Sequence, residues 1–163
     1  MNTTAALIII FAGLIGSSYY SGLETGIFSI NRLRLRHLVR KKVPGAAILD
    51  DFLKRPEYLL GTTLVGNNLC NTITSVTALS LGTFLAGSIG NALAYVIITL
   101  IMLISGEYLP KAWFQGKPAA RTLPFMKSLK VNGILFYPIT LVTTWLARIL
   151  VPLPRNQGEQ AKP

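Results

Sequence analysis

Negative charge is scarce in this sequence. Its 163 residues hold 6 Asp+Glu against 16 Lys+Arg, and charged residues make up only 13% of the chain. A water-soluble domain of this length needs more charge than that to cover its surface. Cysteine is also scarce. Cys70 stands alone inside an apolar run, which excludes a disulfide framework or a thiolate metal site within one chain. His37 is the only histidine and lies in a basic stretch, where an interfacial side chain is a simpler reading than a ligand. No nucleophile–base pair, phosphate-binding loop or thiolate cluster is visible, which argues against an enzyme. The start, Met1 to Ala6, has no positive charge of the kind a cleavable signal needs, so the first apolar stretch is expected to stay as a span.

What is present is apolar, in long blocks. Half of the chain is hydrophobic, and the blocks show no amphipathic period, which suits lipid as solvent. Three spans are expected, in an all-α membrane protein. The first, Ala5 to Ile30, carries Gly13, Ser17, Ser21 and Thr25 at every fourth position, a small-residue face on which another helix can pack closely. The second, from Tyr58 to about Leu81, holds Thr62, Thr63, Asn67, Asn68, Asn71 and Thr72 in its first half. A loop is expected over Gly82 to Asn91. The third, Ala92 to about Trp113, is apolar until Ser105-Gly106-Glu107-Tyr108-Leu109-Pro110-Lys111.

The basic residues lie between the spans. Asn31 to Glu57 holds Arg32, Arg34, Arg36, Arg40, Lys41, Lys42, Lys54 and Arg55 with leucines interleaved. It reads as two short interfacial helices broken near Pro44-Gly45. Lys111, Lys117, Arg121, Lys127 and Lys130 follow the third span. Basic segments mark the cytoplasmic side and touch anionic headgroups, which puts the N-terminus outside. No nucleic-acid module accompanies them, so nucleic acid is not an expected partner. Val131 to Val151 is about one span long, but Pro138 and Arg148 interrupt it. It is read as a membrane-embedded juxtamembrane helix. The membrane domain is thus taken as 1–151, and 152–163 as a disordered polar tail.

Glu24 and Glu107 are the carboxylates in or beside the spans; Asp50, Asp51, Glu57 and Glu159 lie in polar segments. An ionisable group in a span costs several kcal/mol, so it is paired or functional. Pro110 has no N–H and leaves the Gly106 carbonyl without its helical partner. A carboxylate beside a free carbonyl is a hard-oxygen arrangement suited to Mg²⁺ or Na⁺. The plainer alternative is that Pro110 ends the helix and Glu107 pairs with Lys111. Asn67, Asn68 and Asn71 add carboxamides within one turn, either as interhelical hydrogen-bond partners or as neutral oxygen ligands. Gly22 is expected to loosen the first span and expose the Ser21 carbonyl.

These segments resemble the transmembrane domain of the CNNM/CorC magnesium transporter family. The likeness is carried by Tyr20-Ser21-Gly22-Leu23-Glu24-Thr25, by Leu59-Leu60-Gly61-Thr62-Thr63-Leu64-Val65-Gly66-Asn67-Asn68-Leu69 with Asn71, and by Gly106-Glu107-Tyr108-Leu109-Pro110-Lys111, in that order. The resemblance implies a homodimer with three spans and a juxtamembrane helix per protomer. It implies Mg²⁺ held by Ser21, Asn68 and Glu107, with backbone carbonyls near Ser21 and Gly66. It also implies Mg²⁺ export, with Na⁺ as an exchanged ion. Family members continue into paired CBS domains that bind adenine nucleotide. The sequence at hand stops at Pro163, so nucleotide regulation is not assigned to it. A second reading stays open: a membrane scaffold or sensor that binds Mg²⁺ and regulates another transporter.

Overall fold

The structure is a computed structural model and describes residues 2–142. Those residues form helices and no strands. Helix α1 (Thr3–Phe28) starts at Asn2, whose side chain caps the Thr4 N–H. Two amphipathic helices follow, α2 (Arg32–Arg40) and α3 (Ala46–Lys54). Asn31 caps α2 by accepting from the N–H groups of Leu33 and Arg34. Gly45, at φ 85°, takes the left-handed turn that starts α3. The interfacial pair expected from the sequence is therefore present, broken where Pro44-Gly45 predicted.

Helix α4 (Pro56–Ile101) continues through a π-helical segment (Met102–Tyr108) into α5 (Leu109–Gly116). This helical run, Pro56–Gly116, has 61 residues and is apolar enough to cross a membrane. A straight helix of that length would be about 90 Å, three times the hydrocarbon thickness. It folds back instead. The backbone leaves helical geometry at Ala86 and Gly87 (φ 61°, ψ −138°), a conformation that glycine adopts freely. Across the reversal Gly82 meets Gly90, and Asn91 Nδ2 donates to Thr83 Oγ1 at 2.8 Å. The loop expected over Gly82 to Asn91 is thus a tight helical hairpin. Two facing glycines let the limbs, 56–85 and 88–101, approach closely enough to need no connecting loop.

Helix α1, the first limb and the second limb with α5 give three antiparallel or parallel passes. Small residues set their contacts. A Cβ on Gly22 would overlap the Phe114 ring, and one on Gly26 would lie 2.6 Å from Thr122 Oγ1. Without lipid-range hydrophobic drive between helices, such close packing is what holds spans together. The outward surfaces are apolar, with Leu7, Ile8 and Phe11 on α1 and Val96, Leu100 and Leu103 on the returning limb all exposed. This is an all-α membrane protein.

After α5 come α6 (Pro118–Thr122), a 3₁₀ turn (Leu123–Phe125) and α7 (Met126–Leu135). With α2 and α3 they build a collar around the ends of the spans. Its buried core includes Leu23, Ile27, Leu35, Leu49, Leu59 and Met126. The basic segments are therefore packed structure as well as charge carriers. A turn at Phe136 separates α7 from a helix that resumes at 137 and runs to 142. Residues 143–151 of the expected juxtamembrane helix, and the 152–163 tail, lie outside the described residues.

Candidate cation site between the spans

The site begins with the proline. At the end of the π-helical segment the Leu109 N–H donates to the Ile104 carbonyl, five residues back. In that register the next donor would be residue 110, and its acceptor would be Ser105. Pro110 supplies no N–H, so the Ser105 carbonyl is orphaned; in ordinary α register the orphan would be Gly106. Both carbonyls face α1, and both are met by serines. Ser18 Oγ lies 2.7 Å from the Ser105 carbonyl and 2.8 Å from the Leu14 carbonyl of its own helix. Ser17 Oγ lies 3.5 Å from the Gly106 carbonyl and donates to Asn67 Oδ1 at 2.9 Å. Gly106 is buried, and a Cβ there would sit 3.0 Å from Ser17 Oγ. Glycine at 106 is what lets α1 come this near.

One level of the bundle therefore joins all three passes through oxygen atoms: Ser17 from α1, Asn67 from the first limb, Ser105 and Gly106 from the return. Helix α1 and the first limb run antiparallel, with Gly16 against Cys70 and Tyr20 against Gly66. Ser21 is one turn from Ser17 on one side, and Asn71 is one turn from Asn67 on the other. Each turn is about 5.4 Å. Both Ser21 Oγ and Asn71 Oδ1 are buried and have no hydrogen-bond partner among the described residues. A buried, unpaired polar oxygen costs free energy unless something satisfies it. The interface is thus a row of oxygens about two turns long: at its middle two serine hydroxyls, with one proton each, face four acceptors, and at both ends the oxygens have no partner among the described residues.

Glu107 follows Gly106 and is half-buried. Among the described residues the salt bridges are those of Lys54 with Asp50 and Asp51, so Glu107 does not pair with Lys111. No cluster of three His, Cys, Asp or Glu side chains forms among the described residues. Any ion held here is held by one carboxylate and neutral oxygens, which is chemistry for a hard cation.

The residues expected from the sequence divide as follows. Asn67, Gly106 and, one turn away, Ser21 and Asn71 are brought to the interface between α1 and its neighbours. Asn68 is exposed on the outer face of the first limb. Gly66 stands in regular helix beneath the Tyr20 ring, where it acts by lacking a side chain. Helix α1 runs unbroken through Gly22, which carries the Phe114 ring instead of a loosened backbone. Ser17 and Ser18 were not expected as site residues. Ser17 stands on the small-residue face noted above, so packing was the only role its spacing signalled.

Ser18→Ala removes the hydroxyl from the orphaned Ser105 carbonyl. The expected loss is about 1–3 kcal/mol of stability, read as a lowered unfolding midpoint in detergent. Ser29→Ala, whose hydroxyl bonds to Thr25 of its own helix at an exposed position, is expected to stay within about 0.5 kcal/mol. Equal midpoints for both variants would contradict the bonding described.

The family model for CNNM, the cyclin M transmembrane N-terminal domain, matches residues 7–163. The chain belongs to this family. Among curated CNNM-type relatives, the UPF0053 inner membrane protein YfjD of Escherichia coli K12 is 33% identical over 135 residues, 83% of this chain and 32% of the relative. A UPF0053 protein of Haemophilus influenzae is 35% identical over 144 residues, 87% of this chain and 33% of the relative. The UPF0053 protein sll1254 of Synechocystis is 31% identical over 132 residues, 80% of this chain and 38% of the relative. The chain thus spans about a third of the length of the curated relatives it matches.

Proposed function

We propose that this CNNM membrane domain moves Mg²⁺ across the bilayer along the oxygen row between α1, the first limb of α4 and the π-helical segment. The observation that carries the reading is an unbridged Glu107 next in sequence to the Ser105 and Gly106 carbonyls that face α1, flanked by the unpartnered oxygens of Ser21 and Asn71. Mg²⁺ prefers octahedral oxygen coordination and gives up water reluctantly. A row of neutral oxygens can replace that water in steps, while Glu107 supplies the charge that draws the ion in.

Asn68 has a place in this reading through a second copy of the chain. A carboxamide facing hydrocarbon is unfavourable, and a homodimer would cover that face. The basic collar is proposed to lie in the cytoplasm, which puts the N-terminus and the Gly82–Gly90 hairpin on the outer side. Export from the cytoplasm works against the membrane potential, worth about 2.3 kcal/mol per charge per 100 mV and twice that for a divalent ion. A coupled ion is then required, and inward Na⁺ is the proposed one.

The test uses liposomes that hold only the purified chain and a trapped Mg²⁺-sensitive dye. Mg²⁺ flux that rises when a Na⁺ gradient is imposed in the opposite direction is the expected result. Saturable Mg²⁺ binding with no flux under either condition would favour a sensor that acts on another transporter.

A further inference from the structure

A second polar feature lies at the collar, away from the oxygen row. Between the end of α3, the start of α4 and α7 there is a cavity of about 320 Å³ lined by Asp51, Phe52, Lys54, Arg55, Tyr58 and Lys130, with Ile48 and Ile134 beside them. Its making can be traced through the sequence. Pro56 forces α3 to end, and Arg55 bridges the two helices in a non-helical conformation (φ −128°, ψ 67°). Phe52 stacks on Tyr58 at 5.7 Å, which fixes the angle between α3 and α4. Helix α7 closes the third side where Gly133 meets the Tyr58 hydroxyl. Lys130 and Ile134, one turn apart on α7, then share the face that looks into the cavity.

The charges in this cavity are unequal in availability. Lys54 is bound to Asp50 at 2.6 Å and lies 3.7 Å from Asp51, so that lysine is taken up by the two acids, which keep one negative charge between them at the exposed rim. Arg55 and Lys130 form no salt bridge among the described residues. Two free cations from different elements thus flank a pocket with an aromatic floor. A guanidinium and an ammonium in that relation suit a phosphate: Arg offers a bidentate fork and Lys a point charge.

The surroundings decide the source of the phosphate. On one side the cavity opens past Asp51 and Lys54, both exposed. On the other it ends on Ile134, which Leu135 and Tyr137 follow in the chain; the three are 65%, 69% and 54% exposed. That is the surface a membrane protein shows to hydrocarbon. A ligand that fits must be anionic at one end and apolar at the other.

We propose that this cavity binds the phosphate headgroup of an anionic phospholipid, with Arg55 and Lys130 on the phosphate and the acyl chains along Ile134 and the helix that resumes at 137. Basic pockets between helices at the membrane surface are suited to such headgroups. The bound lipid would pin α7 to the α3–α4 corner.

The experiment is native mass spectrometry of the full 163-residue chain in detergent, with phosphatidylglycerol and phosphatidylcholine added at equal concentration. The wild-type chain is expected to retain phosphatidylglycerol about tenfold over phosphatidylcholine. R55Q/K130Q is expected to bring that ratio close to one. Both side chains are exposed, so the fold should survive, and unchanged elution on size exclusion checks this. K117Q/K127Q removes the same charge elsewhere on the collar and is expected to keep the preference. An equal loss in the two double variants would overturn the proposal in favour of general surface attraction. Displacement of the lipid by millimolar inorganic phosphate would overturn it in favour of a free-anion site.

Discussion

Glu107→Ala is expected to bring Mg²⁺ flux through the purified chain down to the leak of empty liposomes, a fall of at least about a hundredfold. The reason is electrostatic. A single negative charge about 4 Å from a divalent ion, at an effective dielectric constant near 20, is worth roughly 8 kcal/mol. A third of that already corresponds to a hundredfold change. None of the other residues in the oxygen row, Ser17, Ser21, Asn67 and Asn71, carries charge that could stand in. Glu107→Gln keeps the shape and is expected to lose flux to the same extent. Folding should be spared, because Glu107 holds no salt bridge among the described residues that its removal would break. Flux at the wild-type rate in either variant, with normal elution, removes Glu107 from the transport path.

The second large effect is expected at a position with no polar atom in its side chain. Gly66→Ala places a methyl 2.6 Å from Cε2 of Tyr20, well inside van der Waals contact. The ring cannot simply swing away. It is buried, in edge contact with Tyr19 at 5.0 Å and near Phe136 at 6.3 Å. Helix α1 must therefore move off the first limb. Overpacking of this kind costs about 1–3 kcal/mol. The same movement separates Ser17 from Asn67, which stands one residue further along α4. Both the unfolding midpoint and the flux are expected to fall. The double variant with a smaller ring partner, Gly66→Ala with Tyr20→Leu, is expected to recover part of the midpoint. A Gly66→Ala protein as stable as wild type would mean that α1 and α4 are not packed as described.

Much of this architecture is written in local sequence. The apolar blocks give the passes, because a bilayer demands their length whatever packs beside them. Asn31, Pro44-Gly45 and Pro56 give the interfacial helices, because capping and proline act over three or four residues. The hairpin at Ala86-Gly87 is different. Gly82, Gly87, Ser88, Gly90 and Asn91 read as a loop, but what they permit is close approach of two helices, and that depends on both limbs at once. The π register is less legible still. It is sustained by Ser17 and Ser18, which arrive from a helix more than eighty residues earlier.

The candidate site shows the same division. Glu107 and Pro110 stand out because a carboxylate and a proline are costly in a span wherever they lie. The asparagines stand out for the same reason, but their separate roles do not. Neighbouring residues on a helix differ by about 100° in direction. Which of Asn67 and Asn68 faces inward therefore depends on where α1 stands. The structure turns Asn67 to Ser17 and leaves Asn68 outside. Ser17 was hidden by its size: a serine on a small-residue face is a packing residue until an acceptor is found opposite it.

The central claim is a location, so the most direct test is to see an ion there. Mn²⁺ shares the octahedral oxygen preference of Mg²⁺ and scatters X-rays anomalously. Crystals of the chain grown with Mn²⁺ are predicted to show an anomalous peak between α1 and the π-helical segment, beside Glu107 and the Gly106 carbonyl, and to lose it in Glu107→Ala. A peak confined to the collar carboxylates Asp50 and Asp51, with the interface between the spans empty, would contradict the account.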